Sequence, residues 1–341
     1  MKPGPQFRPR LGYSENVAAS TDRTRWPRWI TRRLLPALVS VAILALVVLY
    51  VRPQELGTAL SRFHLAYLPL ILFLAMGYYV LKGWQWHLFL KPLKLDHGAL
   101  ETVLIYLAGQ PTSILPLGEL SRAFILRRHA KVNLGEASAT VVVQELLYPI
   151  GLIAAAIPGA SRVPGAQAAV VTALVGILSI SVILLWPRAF AVAMRATEHL
   201  PLVSRYAPDI RALQKDVSFI ARRPATLAPA LLGPVAAAVA ITVFYLTMRS
   251  VGVDLGLYQA AFVYAVAHLA GGVSLLPGGI GAYEGTMTFL LIAFGVAGAA
   301  AAAIAILNRA FDRGLVTLVG AIVYLLIRRP LDLAEISFAP D

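Results

Sequence analysis

The 341-residue chain has no cysteine, which excludes a disulfide framework, a thiolate nucleophile and any cysteine-based metal site. Its six histidines, His64, His87, His97, His129, His199 and His268, are scattered without ligand spacing, and no HExxH pattern occurs. No Walker-type loop is present, so transport driven by this chain's own ATP hydrolysis is excluded. No metal and no cofactor is therefore expected. Charge is scarce as well: 14% of residues are charged against 58% hydrophobic, and the mean hydropathy is +0.73. Such values lie far from those of a soluble domain and describe a polytopic membrane protein.

Crossing the hydrocarbon takes about 20 mostly apolar residues per helix. Runs of that kind occur at 34–51, 65–90, 137–157, 166–186, 227–247 and 300–327. Two further apolar regions, roughly 100–126 and 257–297, are broken by glycine, proline and a lone carboxylate. Runs this long do not alternate as barrel strands must, so the expected fold is all-α. The first run begins too late and extends too far for a signal peptide and is expected to be retained. Residues 1–33 are basic and poor in aliphatics, and read as a disordered cytoplasmic tail.

A formal net charge of +13 raises the possibility of nucleic-acid binding, but the basic residues follow the membrane instead. Eight lie in the tail, seven in the linker 187–226, and others at Lys91, Lys94, Arg122, Arg127, Arg128, Lys131, Arg328 and Arg329. All of these fit a cytoplasmic placement, leaving Arg52, Arg62, Arg162 and Arg249 outside. No nucleic-acid partner is expected. The pattern predicts an inner-membrane, multi-pass protein with both termini cytoplasmic, including a short tail at 330–341. Within the linker, Ile210, Leu213, Val217 and Ile220 form one stripe, which predicts an amphipathic helix on the inner membrane face.

With this orientation, the region 100–126 enters and leaves on the cytoplasmic face, and at about 27 residues it is too short for two crossings. A re-entrant hairpin turning at "PTSILPLGE" is expected. The region 257–297 must likewise begin and end outside; its length leaves open either a hairpin or two crossings. Each half then reads span, span, hairpin, span: about 34–158, and 166–328 with the opposite sense. The predicted fold is a 4+4 inverted repeat with two re-entrant or broken helical hairpins. "GEASATVVVQELLYPIGL" aligns with "GAAAAAIAILNRAFDRGL", pairing Gly151 with Gly314. Inverted repeats with broken helices near the midplane are a transporter architecture.

The breaks explain themselves chemically. Pro116 and Pro277 remove backbone donors, and Gly118, Gly278, Gly279 and Gly281 permit tight turns. The freed polar groups need protein or water, so each motif should line a cavity. Helix ends directed into that cavity would favour an anion.

Charged residues inside the apolar regions are few: Lys82, Glu119, Glu145, Glu284, Arg309, Asp312 and Arg313. Each costs at least about 2.5 kcal/mol when it faces lipid at a helix centre. In the functional reading, Glu119 and Glu284 bind a cationic group or a proton, while Arg309 and Arg313 hold a phosphate. Glu145 falls one residue from Arg309 in the aligned helices and joins the candidate site, as does Arg122. In the structural reading these residues are internal ion pairs, Asp312 with Arg313 foremost, and Arg122 anchors the first hairpin at the interface. Lys82 reads as a snorkelling lysine, and His268 as a packing residue.

Two stretches, "LPLGELSRAFILRRHAKVNLGEASATVVV" and "LLPGGIGAYEGTMTFLLIAFGV", resemble the signature regions of the lysylphosphatidylglycerol synthase transmembrane-region family, the flippase-like integral membrane proteins. The matching positions are Gly118, Glu119 and Arg122 in the first, and Pro277, Gly278, Gly279, Gly281 and Glu284 in the second, with Arg309 in the last helix. This chain departs from the family's usual Glu-Arg and Asp in the helix after the first signature, where it has Gln144, Glu145 and Tyr148. The resemblance implies a lipid flippase or transporter acting on a phospholipid, glycolipid, polyprenyl-linked or hopanoid-type lipid. Its expected partners are membrane lipids with an anionic head group and a lipid-biosynthesis enzyme. A membrane-embedded enzyme modifying lipid head groups, or a non-catalytic partner presenting lipid to a glycosyltransferase, are the competing readings. The family's aminoacyl-transferring members carry a further soluble domain, and lysylphosphatidylglycerol synthesis is not expected of this chain.

Overall fold

The computed structural model describes residues 53–93, 98–115, 118–130, 132–160, 166–274 and 276–335. The expected first span at 34–51, the tail 1–33, Pro116, Lys94, Lys131 and Arg162 lie outside the described residues. Among the described residues the regular structure is entirely helical. A short helix α1 (Pro53–Ser61) leads to α2 (Leu68–Leu90), then α3 (Ala99–Gly109), α4 (Ser121–Ala130) and α5 (Leu134–Ala160). The second half comprises α6 (Ala166–Leu185), α7 (Pro187–Thr197), α8 (Pro201–Ala221), α9 (Leu227–Ser250), α10 (Leu257–Val273), α11 (Ala282–Ala293) and α12 (Gly298–Arg309). A wide π-helical turn, Ala310–Gly314, joins α12 to α13 (Leu315–Glu335), which continues past the expected boundary at 329.

Among the described residues four segments are long and apolar enough to cross a membrane: Leu65–Leu93, Leu134–Ala160, Pro224–Ser250 and Gly298–Ile327. Large apolar side chains point outward from them, with Phe73, Leu231, Leu318 and Leu326 each about 70% exposed. On a soluble protein such surfaces would aggregate; here they are the faces turned to lipid. The protein is an all-α, multi-pass membrane protein.

The expected span at 166–186 ends in a sharp bend. Pro187 cannot donate to the preceding turn, Trp186 is extended (φ −109°, ψ 108°), and the chain turns by 100° into α7. The carbonyls orphaned at this break are taken up by α8. Gln214 donates to the Leu184 oxygen at 3.1 Å, Ser218 to the same oxygen at 3.0 Å, and Arg222 to that of Leu185 at 2.8 Å. The apolar stripe predicted for the linker helix is present but turned toward protein: Val217 and Ile220 are buried against Phe89, Ala139 and Val143.

Both interrupted regions are pairs of packed helices separated by a break. In the first, α3 and α4 flank a break at 110–120; in the second, α10 and α11 flank one at 274–281. The 12 residues of α11 rise about 18 Å, well short of the ~30 Å hydrocarbon. Packing is reciprocal: α5 runs along α10, α13 runs along α3, and α2 lies against α9. The two breaks themselves touch, with Gln110–Ile114 against Pro277–Gly279.

Small residues let these helices approach closely where there is no hydrophobic drive between them. Ala301, Ala302, Ala303 and Ala305 are fully buried on more than one side of α12, and Gly151 stacks on Pro234 of α9, where a Cβ would lie 3.3 Å from the Pro234 Cα. The aligned Gly314 has only ordinary contacts, the nearest at 3.8 Å. The close approach of α13 is made instead at Gly320, where a Cβ would overlap the Leu107 carbonyl of α3. Gly320→Val should therefore cost about 1–3 kcal/mol through overpacking. Gly176→Ala, at a site with no neighbour within 4 Å, should be neutral. Thermal unfolding of the two variants in detergent compares them directly, and equal midpoints would contradict this packing.

Candidate functional site

The first break is held by two hydroxyls, those of Thr112 and Ser121. Pro111 opens a tight turn at Gln110–Ile114, and the Thr112 Oγ1 lies 2.7 Å from the Gly109 carbonyl oxygen and 2.5 Å from the Ser121 hydroxyl. The turn thereby satisfies groups released by α3 and fixes the start of α4. At Gly118 a Cβ would overlap the Thr112 carbonyl, so only glycine fits. The second break needs glycine for another reason. Gly278, Gly279 and Gly281 have φ of 60°, 67° and 89°, the left-handed region costly for other residues.

Glu284 closes the start of α11: its Oε2 accepts from the Gly281 N–H at 2.6 Å, and its Oε1 pairs with the Arg309 Nε at 3.0 Å. Arg309 also donates to the Gly278 carbonyl and lies over the Tyr283 ring, 4.9 Å from its centroid. One turn on, Arg313 reaches the other break. It donates to the Ser113 Oγ at 3.0 Å and pairs with Glu119 at 3.5 Å. Asp312 pairs with neither arginine and accepts from the Tyr79 hydroxyl at 2.9 Å, so the expected Asp312–Arg313 pair is replaced by Arg313–Glu119.

Arg122 is fully buried rather than at the interface. Its guanidinium lies 4.6 Å from the Tyr106 ring and 5.3 Å from the Trp86 ring, and its Nη2 donates to Glu145 Oε1 at 3.0 Å. The same oxygen receives the Lys82 ammonium at 3.4 Å. Lys82 is 3% exposed and does not snorkel; eight residues from the end of α2 it sits too deep, and it rests over the Tyr148 ring at 4.7 Å. Arg122 Nη1 stands 3.7 Å from Glu119 Oε2. One ionic chain, Lys82–Glu145–Arg122–Glu119–Arg313, thus ties α2, α5, α4, the first break and the π turn together.

This chain borders a cavity of about 400 Å³ lined by Glu119, Glu145, His268, Tyr283, Arg309 and Arg313, with backbone of both breaks. A second cavity of about 370 Å³ adjoins it, lined by Ile114, Ile280, Ile306 and Thr317 together with Glu284. Ser113, Gly278, Arg309 and Arg313 belong to both linings and form the septum between them. Of the residues singled out from sequence, Glu119, Glu145, Arg309 and Arg313 face the first cavity, Glu284 faces the second, and Arg122 braces them from behind. Sequence reasoning missed Ser113 and Tyr283, read Lys82 as a snorkelling residue, and set His268 aside. The first two lie inside the glycine-proline motifs, which was the available signal. His268 borders the cavity among the rings of Tyr148, Tyr264 and Tyr283 at 5.2, 5.7 and 6.3 Å. No group of three or more potential metal ligands occurs among the described residues.

Residues 35–320 match the family described as the lysylphosphatidylglycerol synthase TM region. The chain belongs to this family. A stretch of 78 residues is 37% identical to a UPF0104 membrane protein of Methanothermobacter thermautotrophicus, covering 23% of each chain. Family membership with a multi-pass helical fold supports a general lipid-handling role. Both breaks with their glutamates, and Arg309 against the second of them, lie within the matched region.

Glu145 balances two buried cations, so its removal should be costly. Glu145→Gln leaves Lys82 and Arg122 sharing one neutral partner and is expected to destabilise the fold by about 3–5 kcal/mol. Adding Lys82→Met should recover part of that loss. Thermal melts of the single and double variants check this; a double variant less stable than the single one would argue against the shared pairing.

Proposed function

We propose that this protein moves a lipid between the two leaflets of the inner membrane, with the head group in the charged cavity and the acyl chains in the apolar one and in the bilayer. The observation that carries this reading is the septum: two cavities of unlike polarity meet at Ser113, Gly278, Arg309 and Arg313. An amphiphile needs such a pair of environments side by side, and arginines at the boundary match a phosphate, which joins the polar and apolar parts of a phospholipid.

In this reading the helices form a 4+4 inverted repeat. Support comes from the reciprocal packing of α5 on α10 and α13 on α3, and from the meeting of the two breaks. The breaks are re-entrant hairpins from opposite faces, and both termini are cytoplasmic. Glu119, Arg309 and Arg313 contact the lipid head group, with Glu145 beside them, while Arg122 and Glu284 hold the arginines and the breaks in place. A presenting role for a lipid-biosynthesis enzyme would use the same cavity.

The absence of native cysteine permits single-site labelling. Leu115 and Leu276 line the charged cavity, and Leu115 is 61% exposed, so both tolerate substitution, whereas a side chain at Gly118 would clash. Leu115→Cys and Leu276→Cys should react with impermeant thiol reagents, and bound lipid should slow that reaction. In liposomes with leaflet-resolved labelled lipids, the protein should redistribute lipid, and Arg313→Ala should slow this by at least about tenfold, in line with loss of a charge-assisted contact. Cysteines that never react, or chemical conversion of lipid without redistribution, would refute the transport reading.

A further inference from the structure

The charges held within the transmembrane region set what the cavity is able to accept. Among the described residues four cations (Lys82, Arg122, Arg309, Arg313) are matched by four carboxylates (Glu119, Glu145, Glu284, Asp312), and the charged residues that line the cavity itself are two of each, Arg309 and Arg313 with Glu119 and Glu145. The interior is therefore balanced before any ligand enters. A ligand of net negative charge would leave one carboxylate without a cation in a region of low dielectric, which is costly.

The ion pairs also differ in availability. Arg309 and Glu284 have side chains 19% and 4% exposed, and both are further fixed by backbone of the second break. Arg313 and Glu119, 30% and 26% exposed, face the cavity in a looser pair at 3.5 Å. Glu119 Oε2 is buried and has no hydrogen-bond partner, although Arg122 stands near it. Glu145 turns one oxygen to both Lys82 and Arg122, and its other makes no hydrogen bond among the described residues. The cavity thus offers the second Glu145 oxygen on one side and the looser Arg313–Glu119 Oε1 pair on the other.

Resting on the transport reading above, we propose that the lipid this cavity takes has a net-neutral, zwitterionic head group: a phosphodiester with a primary ammonium, of the phosphoethanolamine type. The phosphate takes Arg313 at the septum, and the ammonium takes Glu119 together with the open oxygen of Glu145. The Arg313–Glu119 pair is exchanged for two new pairs, and no buried charge is left over. The ammonium's three N–H donors suit the two carboxylates that line the same wall. A diphosphate-linked or singly anionic lipid supplies no cation to Glu119 and disrupts the balance. Glu119 is thereby the specificity-determining residue.

The test uses the full-length protein in neutral liposomes doped with acyl-chain-labelled phosphatidylethanolamine or phosphatidylglycerol, measuring saturable binding and leaflet redistribution. The wild-type protein should prefer the ethanolamine lipid by at least about tenfold, against the general attraction of a basic protein for anionic lipid. Glu119→Gln, which removes one negative charge and keeps the shape, should lower that preference by about tenfold or reverse it toward the glycerol lipid. Redistribution of both lipids at similar rates by the wild type would overturn the zwitterion proposal while leaving transport standing, and it requires no variant to fold. An unchanged lipid ratio in a monodisperse Glu119→Gln protein would also overturn it. Failure to bind or move either lipid would remove the transport reading and this proposal together.

Discussion

A charge withheld from water inside a bilayer must meet its opposite, and in this protein that demand converges on one oxygen, Glu145 Oε1. It receives both Lys82 and Arg122, and through Arg122 the contact passes to Glu119 and on to Arg313. The rings of Trp86, Tyr106 and Tyr148 surround these cations and replace part of their lost hydration. The helices that carry these residues are held at fixed distances by this chain of contacts. Aliphatic side chains could not do so in lipid, where one apolar surface is as good as another.

The same reasoning accounts for the breaks. A helix interrupted in hydrocarbon exposes backbone groups that only protein or water can satisfy. The first break meets this need with the Thr112 and Ser121 hydroxyls; the second with Glu284 and Arg309. Each break supplies what the other's neighbourhood lacks, since Arg309 and Arg313 leave one stretch of chain to serve both. The cavity is what remains between two turns that do not fill their space.

Much of the architecture was legible because composition and charge distribution act over long stretches. The apolar runs beginning near 65, 137, 227 and 300 became membrane-length helices, and both glycine-proline motifs became breaks between helices. The bend at Pro187 was not legible, because what decides it is the reception of the Leu184 and Leu185 carbonyls by residues thirty positions on. Lys82 was misread for a similar reason: depth along a helix is visible in sequence, but the carboxylate that makes depth tolerable, Glu145, lies on another helix. Glu119, Arg309 and Arg313 could be picked out as costly charges in apolar surroundings. Which of them pair, and that Asp312 turns to Tyr79, depends on how the π turn rotates the start of α13.

That π turn has a mechanical meaning. Arg309 grips the second break at Gly278, and Arg313, four residues later, grips the first at Ser113. The two breaks are therefore not separate hinges but two ends of one short linkage, and the linkage is itself the wall between the polar and apolar chambers. A displacement at either end is felt at the other across a single wide turn of helix. In the proposed transport cycle, movement of either break would therefore reshape both chambers at once.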